Sequence, residues 1–286
     1  MSGRIDVAIL AAVAEELGTL AELLHLAERH RFRGEILTLG RYADLTLLLA
    51  TLGLGKVNAA ITTAALFEHF AVHQVWHVGC AGAYSESPLS VGDVLITQES
   101  LCADEGILTA AGWLPQQAMG IPIGVKNGHK YYDEIPAHGP LLAQIKAQLP
   151  PGRYQLSQEP APRAAHRCRA KHRTAPGQAP ADPAGVGSSP FQVVYGPSLT
   201  VSMVSGDRQT AKQRFEQRRA FAENMEGTAV AQTCVRFNIA MVECRGISNW
   251  AGDRNKAHWE MDTALHHCHG ILIAWLELLT RQTRPK

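Results

Sequence analysis

The sequence predicts an α/β fold, a single domain with a central mixed, twisted β-sheet flanked by helices. Three observations carry this: short β-branched and aliphatic runs alternate with helical patterns, strand-like runs recur on both sides of the middle of the chain, and glycine-rich turns follow two of those runs. With 286 residues and 46% hydrophobic content, the chain is long enough to bury a sizeable core.

The elements follow in order. Ile5 to Ala12 is an apolar strand-like run. A helix is expected from Ala14 to Glu28, with Leu17, Leu20 and Leu24 on one face. Strands are expected at Glu35 to Leu39 and Leu45 to Thr51, then a helix from Lys56 to His69 and a strand at Gln74 to Val78. Further strands are read at Val94 to Leu101, Leu199 to Ser205 and Ala240 to Ile247, with helices at Thr210 to Gln217, Thr228 to Phe237 and Met261 to Leu279. A single mixed sheet covered by helices is the simplest architecture for this order.

Gly152 to Pro190 breaks the rhythm. It holds six of the fifteen prolines and six basic against two acidic residues, a composition that cannot bury enough apolar surface to offset its ordering entropy. It reads as a flexible surface insertion at 152–190 within one domain spanning 1–286.

Formal net charge is +1, from 27 basic and 26 acidic residues, so no global field favours nucleic acid or an anionic membrane. The N-terminal run is too short and too acidic for a signal peptide, and Ile271 to Leu279 is interrupted by Glu277 and shorter than a membrane span. The six cysteines lie scattered without a C-x-x-C pair, as buried thiols do in a reducing compartment, and the chain is read as cytoplasmic. His266, His267, Cys268 and His269 resemble a metal cluster. On a helix only His266 and His269 share a face, so they read as a helix surface with one buried thiol. His166, Cys168 and His172 are too irregular for a zinc site; no metal and no cofactor are expected.

The chemistry concentrates in two segments, Glu223-Asn224-Met225-Glu226-Gly227 and Arg245-Gly246-Ile247-Ser248-Asn249-Trp250. The first delivers a carboxylate at a helix start and the second ends a strand with a polar side chain. Ligands of open α/β sheets bind beyond the carboxyl ends of strands, where a carboxylate accepts from paired hydroxyls, so the pair reads as a sugar holder and a base holder. The turns Gly53-Leu54-Gly55-Lys56 and Gly79-Cys80-Ala81-Gly82 allow close backbone approach to a ligand but match neither G-x-G-x-x-G nor a P-loop. Glu15 and Glu16, just past the first strand, either favour a helix dipole or place a carboxylate on the same rim.

Taken together with Val91-Gly92-Asp93 and Val204-Ser205-Gly206-Asp207, these segments occur in the order of the nucleoside phosphorylase and nucleosidase superfamily, which the chain resembles along nearly its whole length. The resemblance is specifically to the branch that includes methylthioadenosine/S-adenosylhomocysteine nucleosidase. Within it, Glu-Asn-Met-Glu-Gly and Gly-Ile-Ser-Asn-Trp-Ala-Gly-Asp-Arg, with Trp259 beyond, resemble the futalosine hydrolases of menaquinone biosynthesis. The resemblance implies hydrolysis of an N-ribosidic bond in a small nucleoside by a homo-oligomer, a dimer or larger.

In that scheme Glu16 is the general base on water, Glu226 holds the ribose hydroxyls, Met225 packs on the sugar, and Asn249 stabilises the departing base. Ser248 and Arg245 orient Asn249, and the backbone at Gly82 and Thr210 lines the pocket. Asn249 stands where the adenine-cleaving nucleosidases carry aspartate, and its amide donor suits O6 and N7 of hypoxanthine. Cys80 stands where serine is usual. Lys126, Lys130 and Arg208 are candidates to meet the carboxylate of the futalosine side chain. A phosphorylase, which would require cations near the first strand, and a non-catalytic purine-binding protein are the rival readings.

Overall fold

In β1 (Arg4–Ala11), Val7, Ile9 and Ala11 enter one buried cluster while Ala8 and Leu10 enter another. That period of two, apolar on both faces, is what a strand covered by helices on both sides requires. The computed structural model describes residues 4–126, 128–156 and 189–283.

After β1 come α1 (Ala14–Leu17), β2 (His25–Phe32), β3 (Glu35–Tyr42), β4 (Leu45–Thr51), α2 (Lys56–His69), β5 (Ala71–Ala83) and β6 (Val94–Cys102). The middle of the chain carries short strands, β7 (Gly106–Thr109), β8 (Gly112–Pro115), β9 (Gly124–Lys126), β10 (His129–Tyr131) and β11 (Glu134–Pro136), then α3 (Gly139–Gln148) and β12 (Gly152–Tyr154). The last part comprises β13 (Phe191–Thr200), α4 (Arg208–Arg218), β14 (Ala222–Asn224), α5 (Gly227–Phe237), β15 (Ala240–Trp250) and α6 (Met261–Thr283). The main sheet has 11 strands in the order β11-β6-β13-β14-β5-β1-β4-β3-β2, with β12 beside β13 and β15 bridging β5 and β6. The sheet is mixed, as expected: β4, β1, β5 and β15 run parallel to one another, whereas β15 meets β6 antiparallel. Through β15 and β14, the strands β5, β15, β6, β13 and β14 pair in a closed ring.

Four expectations are corrected. The helix expected to reach Glu28 stops at Leu17: Gly18 adopts φ +48°, a 3₁₀ turn covers Gly18–Leu23, and β2 then pairs antiparallel with β3. Leu17, Leu20 and Leu24 are buried as their spacing demanded, but an α-turn followed by a 3₁₀-turn places them there. The strand expected at Leu199 to Ser205 is instead Phe191–Thr200, with Phe191, Val193 and Tyr195 on the core side. Pro197 sits at a register shift within it, which hides the strand in a propensity reading, and Ser205 turns away to donate its N–H to Glu223 Oε1 at 2.8 Å.

Of the three histidines near Cys268, the expected surface position holds for His266 alone. His267 donates to Gly92 O at 2.7 Å and His269 to Glu16 O at 2.8 Å, because α6 packs against the sheet on the side that carries both. The expected insertion begins with residues that belong to the sheet, since Gly152–Tyr154 pairs with β13. Its remainder from 157 to 188, including His166, Cys168 and His172, lies outside the described residues. Among the described residues no helix is long and apolar enough to cross a membrane, and no group of three or more metal-ligating side chains occurs.

Candidate active site

The carboxyl ends of the parallel strands β1, β4, β5 and β15 bring Glu16, Gly55, Cys80 and Asn249 to one rim. Glu16 is in the first turn of α1 and its side chain folds back over the end of β1. Oε2 accepts from Ala12 N at 2.9 Å and Val13 N at 3.4 Å, and Oε1 accepts from Cys80 N at 2.9 Å. Gly79 is required beneath it, because a Cβ there would collide with the Glu16 carboxylate and with Arg245 Nη1, 2.6 Å away.

Glu226 is the N-cap of α5, and its Oε1 accepts from Gly55 N at 2.8 Å, tying the sugar-holder segment to the turn after β4. Burial pushes the Glu226 carboxyl above the ordinary carboxylate range, with Glu16 adding to the effect, while Arg245 and the Gly55 N–H oppose it. Met225 is half-buried against the cluster of Tyr84, Leu199 and Ala251. Glu223, the other carboxylate of the segment, is consumed structurally by Ser205, Tyr84 and Arg214.

Asn249 is re-aimed by a bulge. The β15–β5 register shifts between Ile247 and Asn249, leaving Ser248 as the extra residue and setting Asn249 opposite Gly82. A Cβ on Gly82 would lie 3.2 Å from Asn249 Nδ2, so glycine gives the amide its room. Ser248 Oγ donates to Asn249 Oδ1 at 2.8 Å, and Asn249 Nδ2 donates to Trp250 O at 2.9 Å. An amide carries two N–H donors and two acceptor lone pairs, so one of each remains for a ligand.

Arg245, expected beside Asn249, makes its bonds elsewhere. Nε donates to Glu243 Oε1 at 2.7 Å, Nη2 lies 3.0 Å from His77 Nδ1, and Nη1 has no partner among the described residues. Burial alone would lower its pKa, yet Glu243 foremost, with Glu16 and Glu226, holds it above the usual guanidinium value. His77 is driven down by burial and by Arg245, and is neutral. This buried Glu243–Arg245–His77 group was missed by the sequence reading. Its signal was present: Glu243 and Arg245 interrupt an apolar strand, Met241-Val242-Glu243-Cys244-Arg245. Burial likewise raises the Cys80 thiol, which is therefore protonated and a poor nucleophile.

The structure does not bring Thr210 together with these groups by any polar contact. Its N–H and Oγ1 both engage Asp207, the N-cap of α4, at 2.8 and 3.1 Å. Arg208 begins that same helix, Lys130 is exposed on β10, and the Lys126 side chain lies outside the described set. A cavity of about 500 Å³ lies alongside and is lined by Lys56, Val57, Ile61, Thr228, Gln232 and Arg236. Lys56 and Thr228 directly follow Gly55 and Gly227, so this cavity opens next to the Glu226 wall.

The sequence profile of the Phosphorylase superfamily matches residues 6–277, and the chain belongs to that superfamily. Among curated proteins it is similar to the 5′-methylthioadenosine/S-adenosylhomocysteine nucleosidases of Bacillus thuringiensis (strain Al Hakam) and Bacillus anthracis. Each is 28% identical over 276 residues, covering 96% of this chain and 99% of the relative. Among solved structures, the adenine complex of the nucleosidase of that name from Colwellia psychrerythraea 34H superposes with a TM-score of 0.72 at 22% identity, covering 97% of both chains. The S. pneumoniae nucleosidase with a transition-state inhibitor gives 0.71 at 22% identity, covering 96% of this chain and 100% of that one. At that identity the structural likeness establishes the fold.

Proposed function

We propose that this protein is a purine nucleosidase, cleaving the N-ribosidic bond of a 5′-substituted purine nucleoside with water, the reaction named for its methylthioadenosine/S-adenosylhomocysteine relatives. The observation that carries the reading is Glu16. It is a buried carboxylate gripped by N–H groups of two strand ends, across a single guanidinium from Glu226.

In this reading water stands against Glu16, which takes one of its protons as the oxygen bonds to C1′. The C1′–N9 bond breaks, and the electron pair leaves with the base. Glu226 accepts from the ribose hydroxyls, Met225 covers the sugar, and the spare N–H and lone pair of Asn249 meet the base edge as negative charge develops there. Gly82 leaves room for that contact, Ser248 sets the amide, and Thr210 contributes only through the helix start that Asp207 caps. A phosphorylase is disfavoured because Glu15 and Glu16 occupy the region where an anion would need cations.

A second reading, futalosine hydrolase releasing hypoxanthine and dehypoxanthine futalosine, is favoured by one residue. Asn249 offers an N–H toward O6, where a carboxylate would set two acceptors against each other at a cost of about 1–3 kcal/mol. The comparisons favour the methylthioadenosine type, and the amide favours the 6-oxopurine.

Base release from methylthioadenosine, S-adenosylhomocysteine, aminodeoxyfutalosine, futalosine and inosine in phosphate-free buffer tests both. Adenine release from the thioethers supports the first reading and hypoxanthine release from futalosine the second. A strict phosphate requirement, or binding without turnover, defeats the nucleosidase reading. A homo-oligomer and a reducing, cytoplasmic setting belong to the same proposal. They are supported by the exposed Leu54, Val57 and Ile61 along α2 and the turn before it, and by the free thiols of Cys80, Cys102, Cys244 and Cys268. Light scattering of the purified chain tests the oligomer.

A further inference from the structure

The five ring strands send polar side chains to one buried point, the carboxylate of Glu243 on β15. Its Oε1 accepts from Arg245 Nε at 2.7 Å and from Asn224 Nδ2 of β14 at 3.0 Å. Its Oε2 accepts from Ser198 Oγ of β13 at 2.9 Å and from Ser100 Oγ of β6 at 3.3 Å. His77 of β5 lies with Nδ1 3.8 Å from Oε1. A ring interior is ordinarily filled by apolar side chains, and an ionised carboxylate there is costly unless fully paired. One flank of Glu243 is open to a cavity of about 370 Å³ lined also by Thr97, Cys234 and Met241, so hydrogen bonds more than packing hold the group.

Two of those bonds lead to the candidate site. Arg245 carries its unpartnered Nη1 to the place beneath Gly79 where Glu16 also lies. Asn224 Oδ1 accepts from Glu226 N at 3.1 Å and Gly227 N at 2.8 Å, while a Cβ on Gly227 would lie 2.6 Å from Glu243 Oε1. One carboxylate therefore positions the guanidinium on one wall and the sugar-holding loop on the other.

We propose that Glu243 is a positioning residue for the nucleosidase reaction: without touching substrate, it sets Arg245 and Glu226 in register and offsets the guanidinium charge that faces Glu16. The inference rests on the nucleosidase reading. The charged and titratable groups that face Arg245 are Glu243 on its own strand, Glu16 from α1, Glu226 at the start of α5, His77 and Cys80 from β5, Cys244 beside it and Cys268 from α6. Once a substitution removes the Glu243 charge, Glu16 and Glu226 are the carboxylates left facing the guanidinium. An opposite charge favours the ionised carboxylate and so weakens it as a base.

Glu243→Gln keeps the shape and the Oε1 acceptor while removing the charge. In the full-length chain kcat falls by about 10- to 100-fold, more than KM rises, and the acid limb of the kcat–pH profile moves to lower pH. Loss of folded protein would lower the plateau without moving that limb. If Glu243→Gln does not fold, Ser198→Ala removes one anchor of Oε2, and kcat falls by about 3- to 10-fold at unchanged KM. A variant with wild-type kcat and an unmoved profile overturns the proposal. A wild-type protein that cleaves no purine nucleoside defeats the nucleosidase reading instead.

Discussion

His269 of the C-terminal helix donates Nε2–H to the backbone carbonyl of Glu16 at 2.8 Å. A carbonyl only accepts, so His269 carries a proton on Nε2, and burial, which lowers its pKa, disfavours a second proton on Nδ1. The bond fastens α6, 253 positions away in sequence, to the residue proposed as the base.

Removing that donor should loosen Glu16. His269→Ala is expected to lower stability by about 1–3 kcal/mol, read as a shift in the urea midpoint, and to lower kcat. His269→Gln, which restores an N–H donor, should recover part of both. Equal losses in the two variants would mean that ring packing against Gly18, and not the hydrogen bond, is what matters.

Glu16→Gln preserves the acceptor for the Cys80 N–H and abolishes the base. Turnover should fall by about 100- to 10,000-fold while an unreactive nucleoside analogue still binds, measured by single-turnover base release and calorimetry. Retained turnover would remove Glu16 from the mechanism.

Asn249→Asp puts an ionisable acceptor where the amide now stands between Ser248 Oγ and the Trp250 carbonyl. The ratio of kcat/KM for 6-amino over 6-oxo substrates should rise by about tenfold or more, following the cost of facing a carboxylate with O6. An unchanged ratio would show that the base edge is read elsewhere.

Acid should destabilise the fold through its buried histidines. His77, His267 and His269 all have pKa values below the ordinary 6.5, in each case chiefly by burial. Below that value the unfolded chain takes up protons that the folded chain refuses, so stability is present above about pH 6.5 and is lost as pH falls through it. Urea midpoints between pH 8 and pH 5 should decline, and His77→Asn should lessen the slope by one proton. A flat profile would mean that these rings are protonated in the native state.

Period-two apolar runs and capped helical stretches are local properties, and so β4 and α2 were legible to the residue. Glu16, Glu226 and Asn249 were legible as candidates, from short segments at strand ends and helix starts and from the family resemblance. The stretch from Gly18 to Glu28 was not legible, because its leucine spacing suits an α-helix as well as a short turn feeding an edge strand, and pairing with β3 decided between them. The sequence alone determined the α/β class and the residue types available to a nucleoside site. Only the tertiary structure decided which polar groups meet. A bulge at Ser248 turned Asn249 toward Gly82, and a ring of five strands gathered Arg245, Asn224, Ser198, Ser100 and His77 around Glu243. Those contacts join residues up to 168 positions apart, and no local pattern encodes them because their energy exists only once burial has stripped the water away.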